Sequence, residues 1–473
     1  MRIDSGDRTS RPGMQPRAAI ITLGCKLNQY ESQQIREILE QAGYRIVHWD
    51  EPADVYVVNS CTVTSQADRE TRRLARGAKR RQPDAVVVVA GCYVETGASV
   101  LQELPEIDLL VNNAQKPHLP MLLADFAPGR FPRPSGPPPH EPPLVRYFAG
   151  HTRAFVKVQE GCDAACAFCI IPRARGPSRS IPAERVIEQA RLLAAAGYSE
   201  IVLIGTHLGR YGLDLAPPMT LAELCRRLLP IPQLARLRLS SIEPREVTDE
   251  LVAMLAEAAK ARQAGCFDGP AKLCRHLHIP LQSGCDSVLR RMNRPYDTAF
   301  YKALIERLVT EVPGVCIGAD VLVGFPGETD KEFEETAAFV SALPLSYLHV
   351  FTYSARPGTP AAEMPDQVRP DIRKRRNHAL RQVSSRKYRQ FMAGQVGQVL
   401  DVLIERRTGD GAVEGLSDNY LRVQLTDCQA PAGSIVLVEI TSADGAVLSG
   451  KLVSTSAQLL RSASTAFQQS RAD

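Results

Sequence analysis

The sequence predicts a multidomain α/β protein: an N-terminal parallel α/β domain, an incomplete (β/α)6 barrel and a small C-terminal all-β barrel. Three observations predict it. The chain has 473 residues, too many for one compact core and enough for about three domains at roughly 150 residues each. Short apolar runs alternate with helical periodicity as far as Thr352, the pattern of parallel strands covered by helices. After Gln395 the pattern changes to short β-rich runs separated by Gly- and Asp-rich turns, as in small antiparallel barrels.

The first domain, 17–127, opens with the apolar strand 18–23, followed by a helical pattern over 30–42 and strands near 44–47 and 54–58. A basic helix over 66–81 and the strand 85–89 complete the pattern. Residues 128–147 form a linker, because Pro128 to Pro143 holds eight prolines in sixteen residues and no helix or central strand survives that density. The second domain, 148–390, offers six strands at 154–159, 200–205, 236–240, 276–281, 316–323 and 347–352. Helical patterns at 183–196, 247–257, 299–311 and 331–341 lie between them. Six strand–helix units fall short of the eight in a full barrel; an open doubly wound sheet is the competing architecture. The third domain, 391–455, carries runs at 396–403, 420–425, 434–440 and 446–452, and the polar tail 456–473 is expected to be disordered.

Composition narrows the class of function. No run of about 18 apolar residues is present, so no membrane span is expected. The first 17 residues hold four arginines and no apolar core, which does not make a secretory signal. The expected compartment is the cytoplasm, where twelve cysteines read as ligands or buried thiols rather than disulfides.

Six of those cysteines stand out. Cys162, Cys166 and Cys169 have the spacing C-x-x-x-C-x-x-C. A structural zinc site and an ordinary iron–sulfur cluster are each closed by four protein ligands, so three leave one iron free to bind something else. Cys25, Cys61 and Cys92 each follow a predicted strand, and ligands of parallel α/β sheets bind beyond the carboxyl ends of strands. These three therefore converge on one edge, again one ligand short. Gly24 and Gly91 let backbone pass close to a bulky inorganic group. Cys225, Cys266, Cys274, Cys285, Cys316 and Cys428 show no such placement and read as structural.

The C-x-x-x-C-x-x-C run resembles the signature of radical S-adenosylmethionine (SAM) enzymes. With the second triad, nearly the whole chain resembles the methylthiotransferases of that superfamily. The runs Leu23-Gly24-Cys25-Lys26-Leu27-Asn28-Gln29-Tyr30 and Val58-Asn59-Ser60-Cys61-Thr62-Val63-Thr64 look most like the branch acting on N6-threonylcarbamoyladenosine in tRNA. The branches acting on N6-isopentenyladenosine and on a ribosomal protein aspartate remain open. The resemblance implies an N-terminal cluster domain, a radical SAM barrel and a C-terminal TRAM barrel. It implies two [4Fe–4S] clusters, SAM, a tRNA substrate, a one-electron reductant of the flavodoxin or ferredoxin type, and a monomer.

Replacing an aromatic C–H by C–S has no easy polar route, and a cofactor must carry the radical. The expected division of labour has the cluster on Cys162, Cys166 and Cys169 reducing SAM to generate a 5′-deoxyadenosyl radical. The cluster on Cys25, Cys61 and Cys92 then holds the sulfur. Candidate cofactor contacts sit in loops at strand ends, where barrels place ligands: Gly205, Thr206, Ser241, Glu243, Gln282 and Asp320. His207 and His278 lie in the same loops as structural or functional side chains.

Nine Lys or Arg against one acid between Arg369 and Arg389 suit phosphate binding, with Arg373, Lys374, Arg376, Arg386 and Lys387 as the RNA contacts. A second basic stretch runs from Arg69 to Arg81. The competing class, a zinc-stabilised RNA-binding protein, lacks a fourth nearby Cys or His for either triad. The stretch Lys260 to Cys274, with Cys266 and Cys274, reads as a local elaboration or a weak metal site.

Overall fold

A computed structural model describes residues 15–136, 141–409 and 411–455. The tail 456–473 and linker residues 137–140 lie outside the described residues. The described chain forms two compact units: one takes the residues up to Val145 together with Cys169–Gly176, the other Arg146–Phe168 and the chain from Pro177 onward.

The first unit is built on a parallel sheet of β1 (Arg17–Thr22), β2 (Arg45–Val47), β3 (Val55–Ser60), β4 (Val86–Gly91) and β5 (Leu109–Val111), in the order β2-β1-β3-β4-β5. Alternate residues of one strand serve two cores. Val55, Val57, Val86 and Val88 pack with Ile35 and Leu39 on one face. Tyr56, Val87 and Val89 pack with Ala75, Ala78 and Leu101 on the other. That is why β3 and β4 read as unbroken apolar runs. The short β5 has no sequence signal of its own. In the Pro-rich segment Phe131 is buried and stacks on Tyr44 at 6.0 Å, and the Gln34 amide donates to the Pro143 carbonyl at 3.0 Å.

In the second unit all six expected barrel strands form: β6 (Arg153–Lys157), then, after the short pair β7 (Gln159–Glu160) and β8 (Arg179–Ser180), β9 (Glu200–Ile204), β10 (Arg236–Leu239), β11 (His276–His278), β12 (Cys316–Val323) and β13 (Tyr347–Thr352). They pair in parallel as β10-β9-β6 and β11-β12-β13. Parallel bridges Leu237–Leu273 and Ser241–His278 join the two halves, so the strands run in sequence order around an open barrel. Helix Ala183–Ala195 packs on β6 and β9. The face beneath the helices is apolar, with Ile201, Leu203, Leu237, Leu277, Ile317 and Val321 buried. The other face, which lines the barrel, carries Glu200, Arg236, Arg238, His276, His278 and Asp320 among apolar residues.

The remaining strands, β14 (Val399–Arg407), β15 (Val413–Ser417), β16 (Arg422–Leu425), β17 (Ile435–Ser442) and β18 (Leu448–Thr455), close a small barrel in the order β14-β15-β16-β18-β17. The strand missing from the sequence pattern is β15, whose Gly415 lies against Leu403 and whose run is too short to show alternation.

The polar lining of the large barrel meets this small one through buried charge. Glu200 is fully buried and receives Arg236 Nε and Arg238 Nε, each at 2.7 Å. The same guanidiniums donate to the Asp401, Leu416, Ser417 and Asp418 carbonyls at 2.8–3.1 Å. Arg275 grips the Asp418 carboxylate at 2.7 and 3.0 Å, and Arg262 lies 3.4 Å from both Asp401 and Asp418. The stretch 260–274 thus supplies an ion-pair partner. It makes no metal site: the Cys266 thiol is exposed and Cys274 is buried beside arginines. The exposure of Cys266 also corrects its reading as a buried thiol. Among the described residues no helix is long and apolar enough to cross a membrane.

Burial alone would raise the Glu200 carboxyl, but Arg236 and Arg238 hold it well below the usual carboxylate range. Arg275 and Arg262 outweigh burial at Asp418 in the same direction. A depressed carboxyl contributes stability above its unfolded pKa and loses it as pH falls. Glu200→Gln strands two buried guanidiniums and is expected to cost about 3–5 kcal/mol, read as a lower urea midpoint at pH 7. The deficit relative to the parent should shrink below about pH 4.

Candidate active site

In the first unit the three cysteines stand at neighbouring strand ends. Cys25 caps the helix Lys26–Gln41, Cys61 follows β3, and Cys92 opens the helix Cys92–Gln102. Cys25 is exposed, whereas Cys61 and Cys92 are buried. Gly24 has φ +94°, and a Cβ there would fall 2.6 Å from the Cys61 Cβ and 2.7 Å from its Sγ. Only glycine lets the Cys25 turn approach Cys61 this closely. Gly91, with φ +95°, passes equally tightly over the Ser60 carbonyl.

Burial pushes the Cys61 thiol up to about 11 and raises Cys92. Cations oppose this at Cys92. Glu31, buried, bonds Arg175 and Lys116 at 2.5 Å each, and Arg175 also donates to the Asn28 side chain at 2.6 Å. Two cations on one carboxylate leave a net positive charge beside the thiols, which favours thiolates once a metal displaces their protons. Three free thiols, a glycine cradle and an adjacent cation pair fit a three-thiolate iron–sulfur cluster.

In the second unit the signature loop follows β7. The Gln159 side chain, fully buried, fixes its start: Nε2 donates to the Gly161 carbonyl at 2.8 Å and Oε1 accepts from the His207 amide at 2.8 Å. Cys162 Sγ lies 3.3 Å from His207 Nδ1. Arg294 donates to Cys166 Sγ at 3.1 Å and pairs with Glu243. Burial alone would lower His207, but its bonds to Cys162 and Glu246 raise it to about 10. Arg294 thus brings a cation to Cys166 and His207 a hydrogen-bonding ring nitrogen to Cys162, and the site fits a thiolate-bound cluster. Cys169, half-buried, is the first residue of the Cys169–Gly176 segment, which belongs to the first unit.

The strand-end loops carry unpaired polar atoms. Thr206 Oγ1 after β9 and Ser240 Oγ after β10 are buried without a partner among the described residues, as expected of groups that receive a polar ligand. Gly205 packs against Gln159, Ser241 is exposed, and Glu243 is held by Arg294. Gln282 adopts φ +69°, and a bridge joins it to Val321. Asp320, the remaining expected cofactor contact, lies within β12 with its carboxylate bonded to His278.

Two family models match the chain: Uncharacterized protein family UPF0004 over residues 17–112 and the Radical SAM superfamily over 156–340. The chain is 38% identical over 437 residues, 90% of its length and 94% of the relative's, to a threonylcarbamoyladenosine tRNA methylthiotransferase of Bacillus subtilis. It belongs to the radical SAM methylthiotransferase family. A tRNA-2-methylthio-N(6)-dimethylallyladenosine synthase of Sorangium cellulosum is 37% identical, covering 83% of the chain and 82% of the relative. The structure of a radical SAM methyltransferase from Kitasatospora setae, 17% identical, overlays with TM-score 0.53 over 74% of each chain and shares the fold.

The basic helix of this methylthiotransferase, Pro370–Ala393, is longer than its charge run, and two expected RNA contacts on it are structural. Arg376 is buried against Glu328 and Asp330. Lys387 is buried, with Nζ on the Ser341 and Leu343 carbonyls. Arg373 donates to the Val368 and Tyr353 carbonyls. Spacing on a sequence cannot separate charges that anchor a helix from those that leave it. Lys374, Arg375, His378, Arg381, Ser385, Arg386 and Arg389 form the exposed stripe and line a groove of about 970 Å³. The Arg69–Arg81 stretch is mostly neutralised by Glu70, Glu106, Asp108 and Asp50. Gln159, Arg294, Glu31, Lys116 and Arg175 were invisible to motif reading because their partners lie far away in sequence.

Gly24→Ala tests the cradle. With its Cβ forced onto Cys61, holoenzyme iron is expected to fall towards about half, while the circular dichroism spectrum stays unchanged. Full iron in this variant would show that Cys25 and Cys61 need not approach each other.

Proposed function

We propose that this methylthiotransferase converts N6-threonylcarbamoyladenosine beside the tRNA anticodon to its 2-methylthio derivative, replacing the C2 hydrogen by S–CH3. The observation that supports the chemistry is the pair of three-cysteine donor sets, each beside buried cations and each short of a fourth ligand. The substrate branch is supported by the relatives named for threonylcarbamoyladenosine.

When bound, the cluster on Cys162, Cys166 and Cys169 supplies the electron for reductive SAM cleavage, and that on Cys25, Cys61 and Cys92 carries the sulfur. The chain's own residues do the rest. Thr206, Ser240 and the Gly205 backbone offer hydrogen bonds to SAM, with Ser241 and Gln282 at the same strand ends. Glu243 stays fixed by Arg294 and presents a carboxylate to the SAM ammonium or ribose. Gln159 holds the signature loop against β9. Lys374, Arg381, Arg386 and Arg389 track RNA phosphates, while Arg376 and Lys387 hold their helix in place.

The cytoplasm, a flavodoxin- or ferredoxin-type reductant and a monomeric enzyme belong to this reading, as do domain limits at 17–127, 148–390 and 391–455.

Mass spectrometry of tRNA nucleosides from cells with and without the gene tests it. Selective loss of 2-methylthio-N6-threonylcarbamoyladenosine is expected; loss of the isopentenyl analogue instead would overturn the branch. Cys25→Ala, Cys61→Ala and Cys92→Ala should abolish methylthio transfer while SAM cleavage to 5′-deoxyadenosine persists.

Reversing charge on the exposed stripe, in Arg381→Glu with Arg386→Glu, is expected to weaken tRNA binding about tenfold or more. It should also reduce the salt dependence of binding by about two phosphate contacts, as read by filter binding across a potassium chloride series.

A further inference from the structure

The barrel's polar lining holds a cluster that neither the iron sites nor the ion network uses. His278 Nε2 lies 2.8 Å from Asp320 Oδ1, and His349 Nδ1 lies 3.5 Å from the same oxygen. The two imidazoles are 4.9 Å apart. The Tyr347 hydroxyl sits 3.3 Å from His278 Nδ1 and 2.9 Å from His276 Nε2. His276 in turn stacks on Tyr420 of the small barrel at 4.1 Å. These residues share one face because β11, β12 and β13 pair with His278 beside Gly318 and Asp320 beside His349. Gly318 makes room for the Tyr347 ring, since a Cβ there would fall 2.2 Å from it.

One hydrogen-bonding scheme connects the column: His276 Nε2 donates to the Tyr347 oxygen, Tyr347 donates to His278 Nδ1, and His278 Nε2 donates to Asp320. Burial alone would raise the Asp320 carboxyl, but its bonds from His278 and His349 hold it well below the usual carboxylate range. Asp320 is therefore a fixed carboxylate with one oxygen committed. His349 is 54% exposed, and its outer nitrogen has no partner among the described residues. His278 ends β11, Asp320 and His349 lie mid-strand in β12 and β13, and the Ser241–His278 bridge ties the cluster to the loop that carries Glu243. In such barrels substrates meet side chains from the ends of several strands.

We infer that Asp320 and His349 form the specificity subsite for the substrate's N6 substituent, Asp320 accepting from the ureido N–H and His349 donating to the threonyl carboxylate. This deepens the reaction assigned above and rests on it. A urea presents N–H donors that a carboxylate accepts, and the threonyl group adds an anion that accepts from an imidazole N–H. An isopentenyl group offers neither, so it would leave the second Asp320 oxygen and the outer His349 nitrogen without a substrate partner.

The test uses reconstituted holoenzyme, SAM and anticodon stem-loops bearing either the threonylcarbamoyl or the isopentenyl group. His349→Leu is expected to raise the KM for the threonylcarbamoyl stem-loop about tenfold or more. The KM for SAM and 5′-deoxyadenosine formation without RNA should stay unchanged. His349→Gln, which keeps a donor, should restore part of the loss, and Asp320→Asn should behave like His349→Leu. Equal KM for both proteins overturns the subsite. So does a raised SAM KM in Asp320→Asn, which would make Asp320 a cofactor contact. Zinc or another non-iron metal, bound stoichiometrically and lost in Asp320→Asn, would make the cluster a metal site instead. If the parent enzyme turns over only the isopentenyl stem-loop, the assigned reaction fails; if it turns over the threonylcarbamoyl one with discrimination unchanged in His349→Leu, this inference alone fails.

Discussion

Parallel strands release their chains at one edge, and in both units that edge is where the chemistry collects. Cys25, Cys61 and Cys92 follow β1, β3 and β4 in the first unit. His207, Ser240 and Glu243 follow β9 and β10 in the second. Hydrogen bonding between strands sets their spacing, so the loops inherit positions they do not have to create. The cores on both faces of the first sheet, and the apolar layer beneath the helices of the second, hold those positions still. Without that constraint, three thiols from residues as distant in sequence as Cys25 and Cys92 would have no reason to face one another.

The same economy governs buried charge. Glu31 and Glu200 are each a lone carboxylate between two cations, and neither sits in an apolar void. Lys116 and Arg175 balance the first and add positive charge beside thiols that burial keeps protonated. Arg236 and Arg238 balance the second and spend their remaining donors on backbone carbonyls of the small barrel. Burying ions this thoroughly is tolerable only when nearly every lone pair and proton is matched, and the partners of Arg236 and Arg238 come close to that. The first arrangement prepares a site for metal; the second fixes one module against another.

Much of this was legible in the sequence, for physical reasons. The six barrel strands, the parallel N-terminal sheet and both cysteine triads could be read because apolar period and ligand spacing are local properties. The weak strands β5 and β15 could not, since three to five residues do not establish a period. Long-range partners were equally hidden: nothing in the neighbourhood of Arg294 points to Cys166, and nothing near Arg175 points to Glu31. The basic helix was legible as charge and illegible as surface. Arg376 and Lys387 look like their exposed neighbours in sequence and differ only in which way the helix turns them. Asp320 was read as a strand-end carboxylate but lies within β12, and its two histidines arrive from β11 and β13.

The arginines that reach from the large barrel into the small one bear on how such enzymes change over time. A small β-barrel at the end of a chain looks like a cassette, free to be traded between lineages with whatever RNA preference it carries. Here its backbone carbonyls at Asp401, Leu416, Ser417 and Asp418 are part of the hydrogen-bond complement of residues inside its neighbour. A replacement module would have to present the same carbonyls and carboxylates at the same places. Descent of the two barrels is thereby coupled, because exchanging the small one alone would strand the buried guanidiniums of its neighbour.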